Sequence, residues 1–247
     1  PDLLVLAMFT GNDIAENHKE LRHNPMRPSY SLINKKVIFK DNTFKENKEY
    51  LKRQSFVWKS LYKVINYSRI LQVINAIKNR AISVFLRKTY LKGINVENEL
   101  TYKIYLEPKD DVWKEAWVIT EKALFLMNKE IKDRGADLLV VTLSNGIQVY
   151  PDKDRRNAFI RKHKIDNLFY SDDRIYKYCK KNNINVLQLA RKLQILADEQ
   201  KLYMHGFSNT KMGIGHLNEN AHSFAGSMIA SYLCSEDVIS GCLERTN

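Results

Sequence analysis

Asp137-Leu138-Leu139-Val140-Val141-Thr142-Leu143, closed by Ser144-Asn145-Gly146, is the stretch on which the fold turns. An unbroken apolar run of this length between turn residues reads as a strand buried on both faces, the kind that parallel sheets use. Upstream, Trp113, Trp117, Thr120, Leu124, Met127 and Ile131 recur at helical spacing behind an N-cap at Asp110-Asp111, and Gly135 ends that helix. Downstream, the pattern predicts helices over Asp154–Lys164, Asp172–Lys181 and Leu189–Gln200, a short strand at Ile184–Leu187, and a last helix from Glu219 to about Cys234. Pro1-Asp2-Leu3-Leu4-Val5-Leu6-Ala7-Met8-Phe9 reads as a further buried strand, ended by Thr10-Gly11-Asn12-Asp13. Strands alternating with helices specify an α/β fold with a parallel sheet. Three strands are few for this much helix. A buried first strand needs neighbours on both sides, so the expectation is a body that has lost its first strands.

The 247 residues are 44% hydrophobic and 11% aromatic, too apolar for a disordered chain. Three cysteines (Cys179, Cys234, Cys242) without a Cys-x-x-Cys pair argue against a disulfide scaffold. No apolar run reaches the length of a membrane span. The net charge of +12 is uneven: −3 over residues 1–20, +12 over 21–110 and +3 over 111–247. The body, residues 1–20 and 111–247, is therefore near neutral, and residues 21–110 form a basic insert. A chain basic throughout would suggest nucleic-acid binding; a basic insert in a neutral body does not, and no nucleic-acid partner is expected.

Within the insert, Ser29–Asp41 alternates around Asn34-Lys35 and predicts a β-hairpin. Residues 42–53 read as a charged linker. From Gln54 to about Arg87, Val57, Leu61, Val64, Ile65, Leu71, Ile74, Ile77 and Ala81 recur at helical spacing among lysines and arginines. The favoured expectation is an apolar stripe packed on the body; the other is a basic amphipathic element over 54–88 lying on an anionic membrane surface. Residues 88–110 read as irregular, with a short strand at Thr101–Leu106.

In open α/β sheets ligands bind beyond the carboxyl ends of the strands. Three turns qualify here: Thr10-Gly11-Asn12-Asp13, Ser144-Asn145-Gly146, and Gly213-Ile214-Gly215-His216-Leu217-Asn218 before the last helix. His216 is the general-base candidate, since imidazole titrates near neutrality. A helix-start histidine that only hydrogen-bonds would look the same. Asn12 is the oxyanion-donor candidate, because a side-chain amide is a neutral donor for a developing negative charge; it reads equally as a turn residue. Thr10, Gly11, Asp13, Ser144, Asn145 and Asn218 are candidate rim and substrate contacts. His205 and His222 are weaker base candidates. The six histidines show no metal-ligand spacing, and neither a metal nor a cofactor is expected.

Gly11-Asn12-Asp13 after a hydrophobic strand, and Gly215-His216-Leu217-Asn218-Glu219-Asn220-Ala221-His222 entering a helix, resemble the third and the histidine-bearing blocks of the SGNH (GDSL-like) hydrolase superfamily. Leu143-Ser144-Asn145-Gly146-Ile147-Gln148-Val149 with Pro151-Asp152, Leu168-Phe169-Tyr170 and His205-Gly206-Phe207 resemble a bacterial branch of it. The resemblance covers residues 1–13 and about 111–234; the basic middle resembles a variable insert. It implies a flavodoxin-like three-layer α/β/α fold and ester hydrolysis through a serine acyl-enzyme. By position, Asn12 takes the oxyanion role and His216 the base role. Two departures stand out. The family serine and the oxyanion glycine belong to blocks upstream of residue 1, so these 247 residues alone are expected to be inactive. The acid usual three residues before the histidine is Gly213.

The resulting expectation is an N-terminally truncated serine esterase acting on a small-molecule or glycan ester. Acyl transfer to a sugar hydroxyl, or a non-catalytic module binding an envelope or anionic surface, are its alternatives. The resemblance is to a bacterial branch, and the location is left open between the cell envelope and export, since any targeting segment would lie upstream of residue 1.

Overall fold

A computed structural model of the chain describes residues 2–22, 29–33, 36–40, 48–90, 101–209 and 211–235. The chain divides into two units, one made of Pro1–Ala15 with Tyr102–Asn247 and the other of Glu16–Thr101. The expected turn at Asn34-Lys35, the linker over 42–47 and the irregular stretch over 91–100 lie outside the described residues.

The first unit is built on a three-stranded parallel sheet: β1 (Leu3–Phe9), β4 (Asp137–Leu143) and β5 (Asn185–Gln188), in the order β1-β4-β5. A one-turn helix, α1 (Asp13–Glu16), follows β1. β4 is central. Leu3 lies opposite Asp137 and Phe9 opposite Leu143, while Leu139 to Thr142 pair with Asn185 to Gln188. Hydrogen-bonded on both edges, β4 has Leu138, Leu139, Val140, Val141 and Thr142 all buried. Side chains alternate across a strand, so both faces of β4 are covered, as its unbroken apolar sequence requires.

One face carries Leu139 and Val141 into a core shared with α8 (Ala190–Gln200) and α9 (Glu219–Ser235), through Leu193, Ala197, Ala221 and Ala225. Against β4 also pack α5 (Asp111–Asp133) and α7 (Tyr170–Lys181), the latter touching β5 as well. The arrangement is a parallel sheet flanked by helices, compatible with three α/β/α layers. Asp110 caps α5 by accepting from the Trp113 backbone N–H at 2.8 Å, and Gly135 takes the left-handed conformation (φ +77°) beyond its end. Buried Arg156 of α6 (Lys153–His163) forks onto Asp198 of α8 with contacts of 2.6 and 2.7 Å. Cys179 is buried as a free thiol whose pKa burial pushes up to about 12; Cys234 is half-buried and disulfide-bonded.

In the first unit two sequence expectations change. β1 was expected to be central, but among the described residues it has one neighbour, β4, and Leu4 and Val5 stand 40% and 42% exposed. The short strand expected over Thr101–Leu106 is a 3-10 turn (Thr101–Tyr105) whose Ile104 and Tyr105 are buried in the first unit.

The second unit contains the antiparallel hairpin of β2 (Ser29–Ile33) and β3 (Lys36–Lys40), with Ser29 opposite Lys40. Three helices follow: α2 (Lys48–Gln54), α3 (Phe56–Tyr67) and α4 (Arg69–Tyr90). Part of the expected linker is thus helix. Ser55 and Ser68 separate the helices, each with extended or non-helical backbone. α3 buries no residue: Val57, Leu61 and Val64 are exposed and Ile65 is half-buried.

Leu139→Ala should cost about 3 kcal/mol of stability in urea denaturation, because a cavity opens in a fully covered strand. Leu4→Ala on the exposed edge should cost about 0.5 kcal/mol. Equal losses would contradict the central placement of β4.

Candidate functional site

The carboxyl ends of β1 and β4 meet side by side. Thr10 is fully buried, and its Oγ1 accepts from Asn145 Nδ2 at 3.2 Å. Gly11 is glycine for a steric reason: a Cβ there would stand 2.0 Å from Asn145 Oδ1 and 2.8 Å from the Phe9 ring. Asn145 is locked further by Gln148, whose Oε1 accepts from the Asn145 backbone N–H at 2.7 Å and from Nδ2 at 3.3 Å. Both Thr10 and Asn145 therefore join the two strand ends, with Asn145 itself only 3% exposed.

Asn12 occupies the turn after β1 and is half-buried. Its backbone N–H donates to Phe9 O at 3.3 Å. Its Oδ1 is buried without a hydrogen-bond partner among the described residues. Asp13 turns back on the strand, where its Oδ2 accepts from the Phe9 N–H at 2.8 Å.

Ser144 ends β4 fully buried, and its Oγ lies 3.1 Å from Nε2 of His205. On the other side of that ring, Nδ1 is 2.7 Å from Gly215 O. A carbonyl only accepts, so Nδ1 carries the proton and Nε2 receives the hydrogen bond of the Ser144 hydroxyl. His205, a weaker base candidate by sequence, is 1% exposed and joins β4 to the loop of His216. Its pKa is lowered, first by burial and further by the neighbouring His216, which holds it neutral.

That loop is pinned by backbone as well. Gly206 N–H donates to His216 O at 3.0 Å, Gly213 N–H to His205 O at 2.8 Å, and Asn218 N–H to Met204 O at 3.0 Å. Gly213 has φ +81°, and a Cβ there would stand 2.2 Å from the Tyr150 ring. Left-handed backbone and a covering ring explain why no carboxylate occupies 213. His216 itself is exposed. Asn218, a candidate substrate contact, is buried and caps α9: its Oδ1 accepts from Ala221 N–H at 3.1 Å and its Nδ2 donates to Tyr203 O at 2.7 Å.

The candidates thus separate. Thr10, Asn145 and Ser144 form a buried floor, with Gly11 and Asn12 half-buried beside it. His216 projects from a loop tied to that floor through His205. No hydrogen bond among the described residues joins Asn12 to His216.

Beneath the floor lies a group that sequence reading missed. Gln148 Nε2 donates to Asp172 Oδ2 at 2.7 Å and to Leu168 O at 3.0 Å. Asp172 is 1% exposed, its Oδ1 has no partner among the described residues, and burial pushes its pKa up to about 6 against the opposing hydrogen bond from Gln148. From sequence it is an ordinary acid in the first turn of a helix; only the fold desolvates it.

No family model, curated protein or solved structure matches this chain.

Asp172 makes stability pH-dependent. Its folded pKa is above the unfolded value, so its contribution is complete below about pH 4 and is lost as pH rises through about 6, on the order of 3 kcal/mol. Urea denaturation from pH 4 to 8 should show this loss in the native chain and a flatter profile in Asp172→Asn. Parallel profiles would mean that the carboxyl is not desolvated.

Proposed function

We propose that this chain supplies the base-bearing and amide-bearing side of a serine ester hydrolase of the SGNH (GDSL-like) type, with a flavodoxin-like three-layer body. The observation that carries the reading is the mounting of His216. It is a solvent-exposed imidazole on a loop tied through His205 to Ser144, at the carboxyl end of the central strand. That is the rim where α/β folds bind ligands. Asn12 leaves the adjacent strand with its Oδ1 buried, while Nδ2 carries no hydrogen bond among the described residues and can donate.

In this reading a serine hydroxyl attacks the ester carbonyl as His216 takes its proton. Asn12 Nδ2 donates to the oxyanion of the tetrahedral intermediate, and His216 returns the proton to the departing alkoxide. Water then repeats the sequence on the acyl-serine. The attacking serine belongs to the Gly-Asp-Ser-like block implied by the resemblance, which these 247 residues do not carry. With glycine at 213, His216 works without the usual acid, as part of a serine–histidine pair.

Ser144 with His205 is the second arrangement with nucleophile–base geometry. Its oxygen and ring are both fully buried, and the backbone N–H of Asn145, the natural oxyanion donor next to Ser144, is already bonded to Gln148. We therefore assign this pair the role of anchoring the His216 loop.

The coding sequence upstream of Pro1 should specify a Gly-Asp-Ser-like strand end. In the protein that includes it, His216→Ala should lower p-nitrophenyl acetate turnover by on the order of a thousandfold. Asn12→Ala should raise the barrier by about 2–4 kcal/mol. Ser144→Ala should leave turnover within about tenfold of wild type, since it removes an anchor and no reacting group. Loss of turnover in Ser144→Ala with retention in His216→Ala would transfer the chemistry to the buried pair.

A further inference from the structure

Between Leu51 and Tyr90 the sequence holds nine basic residues and no acidic one. α3 and α4, which pack on each other, span most of this stretch. In α4, Ile70, Val73, Ile74 and Ile77 recur at intervals that place them on one helical face, and all four are exposed, Ile70 at 74% and Ile77 at 63%. Leu71, Gln72 and Asn75, on the other side of the same helix, are half-buried. In α3, Val57, Leu61 and Val64 form a second exposed stripe, with exposed Phe56 and Tyr67 beside it. Scattered exposed apolar side chains are ordinary; two helical stripes of them, facing solvent, are not.

The charges decide what covers these stripes. Arg69 and Lys78 border the α4 stripe, and Lys59 and Lys63 lie along the flank of α3; all four are exposed. An apolar core would leave these cations without a counterpart, and a second copy of the same surface would bring like charges together. A bilayer interface carrying anionic headgroups meets both needs: acyl chains take the branched and aromatic side chains, and phosphates take the flanking cations. No described helix is long and apolar enough to cross a membrane, so the contact lies along the surface.

We propose that α3 and α4 form a docking surface for an anionic lipid bilayer, with the exposed stripes inserted at the interface and Lys59, Lys63, Arg69 and Lys78 on the phosphates. The surface is independent of the hydrolytic reading, and its test needs no catalysis.

Trp58 reports the event. It is half-buried in α3, with Lys52 Nζ 4.8 Å from its ring centroid, whereas Trp113 and Trp117 are buried in the first unit. The full chain, mixed with phosphatidylcholine–phosphatidylglycerol vesicles, should co-sediment and shift its tryptophan emission to the blue. Phosphatidylcholine vesicles should do neither. Ile74→Glu with Ile77→Glu should abolish both signals. Replacing Lys59, Lys63, Arg69 and Lys78 by glutamine, which leaves helix propensity intact, should weaken partitioning by on the order of a hundredfold, as should high salt. Circular dichroism should show that both variants keep their helices, and a variant that loses helix is replaced by the other set. Equal binding to neutral vesicles would overturn the charge assignment. No vesicle binding, with sedimentation showing apolar-stripe dimers abolished by the Ile74/Ile77 pair, would overturn the proposal in favour of a second copy.

Discussion

The structure depends on β4 being paired on both edges and covered on both faces. A strand in that position has no route to water for its backbone, so its ladder to β1 and β5 is obligatory. Its side chains must be apolar in both registers, and Leu138 to Val141 are. The same enclosure follows the chain past the end of the strand. Ser144 and Asn145 leave β4 still buried, and polar groups there must find partners inside the protein. Ser144 finds His205; Asn145 finds Thr10 and Gln148; Gln148 finds Asp172. The bonds to His205, Thr10 and Asp172 each bring in a distant part of the chain, so the rim is built outward from the burial of one strand.

This explains what could be read of the site in advance. Gly11-Asn12-Asp13 and the glycine-flanked His216 stand at ends of predicted elements, where spacing along the chain is enough to place them. The partnership of Ser144 with His205 crosses 61 positions and leaves no local trace. Asp172 looks like any first-turn acid until its environment is known. The steric reason for Gly213 is likewise invisible, because the obstacle is the ring of Tyr150.

The insert shows the converse. Its amphipathic periodicity was legible, since a helix turns regularly whatever surrounds it. What its apolar face meets was not. The expectation of a packed stripe came from the number of branched and aromatic residues; within the second unit Val57, Leu61, Val64, Ile74 and Ile77 stand exposed, while Trp58, Ile65 and Leu71 are half-buried. Periodicity specifies a face, and only the neighbouring elements decide whether that face is covered.

By itself the sequence determined the α/β class, the parallel strands and the helices between them, and the basic character of residues 21–110. All of these are short-range properties of hydrophobic pattern, capping and charge. The tertiary structure alone decided that β1 is an edge among the described residues, that His205 and not a carboxylate ties down the loop of His216, and that Asp172 is a desolvated acid. Those outcomes depend on which distant groups share a low-dielectric interior, and that sharing exists only once the chain has folded.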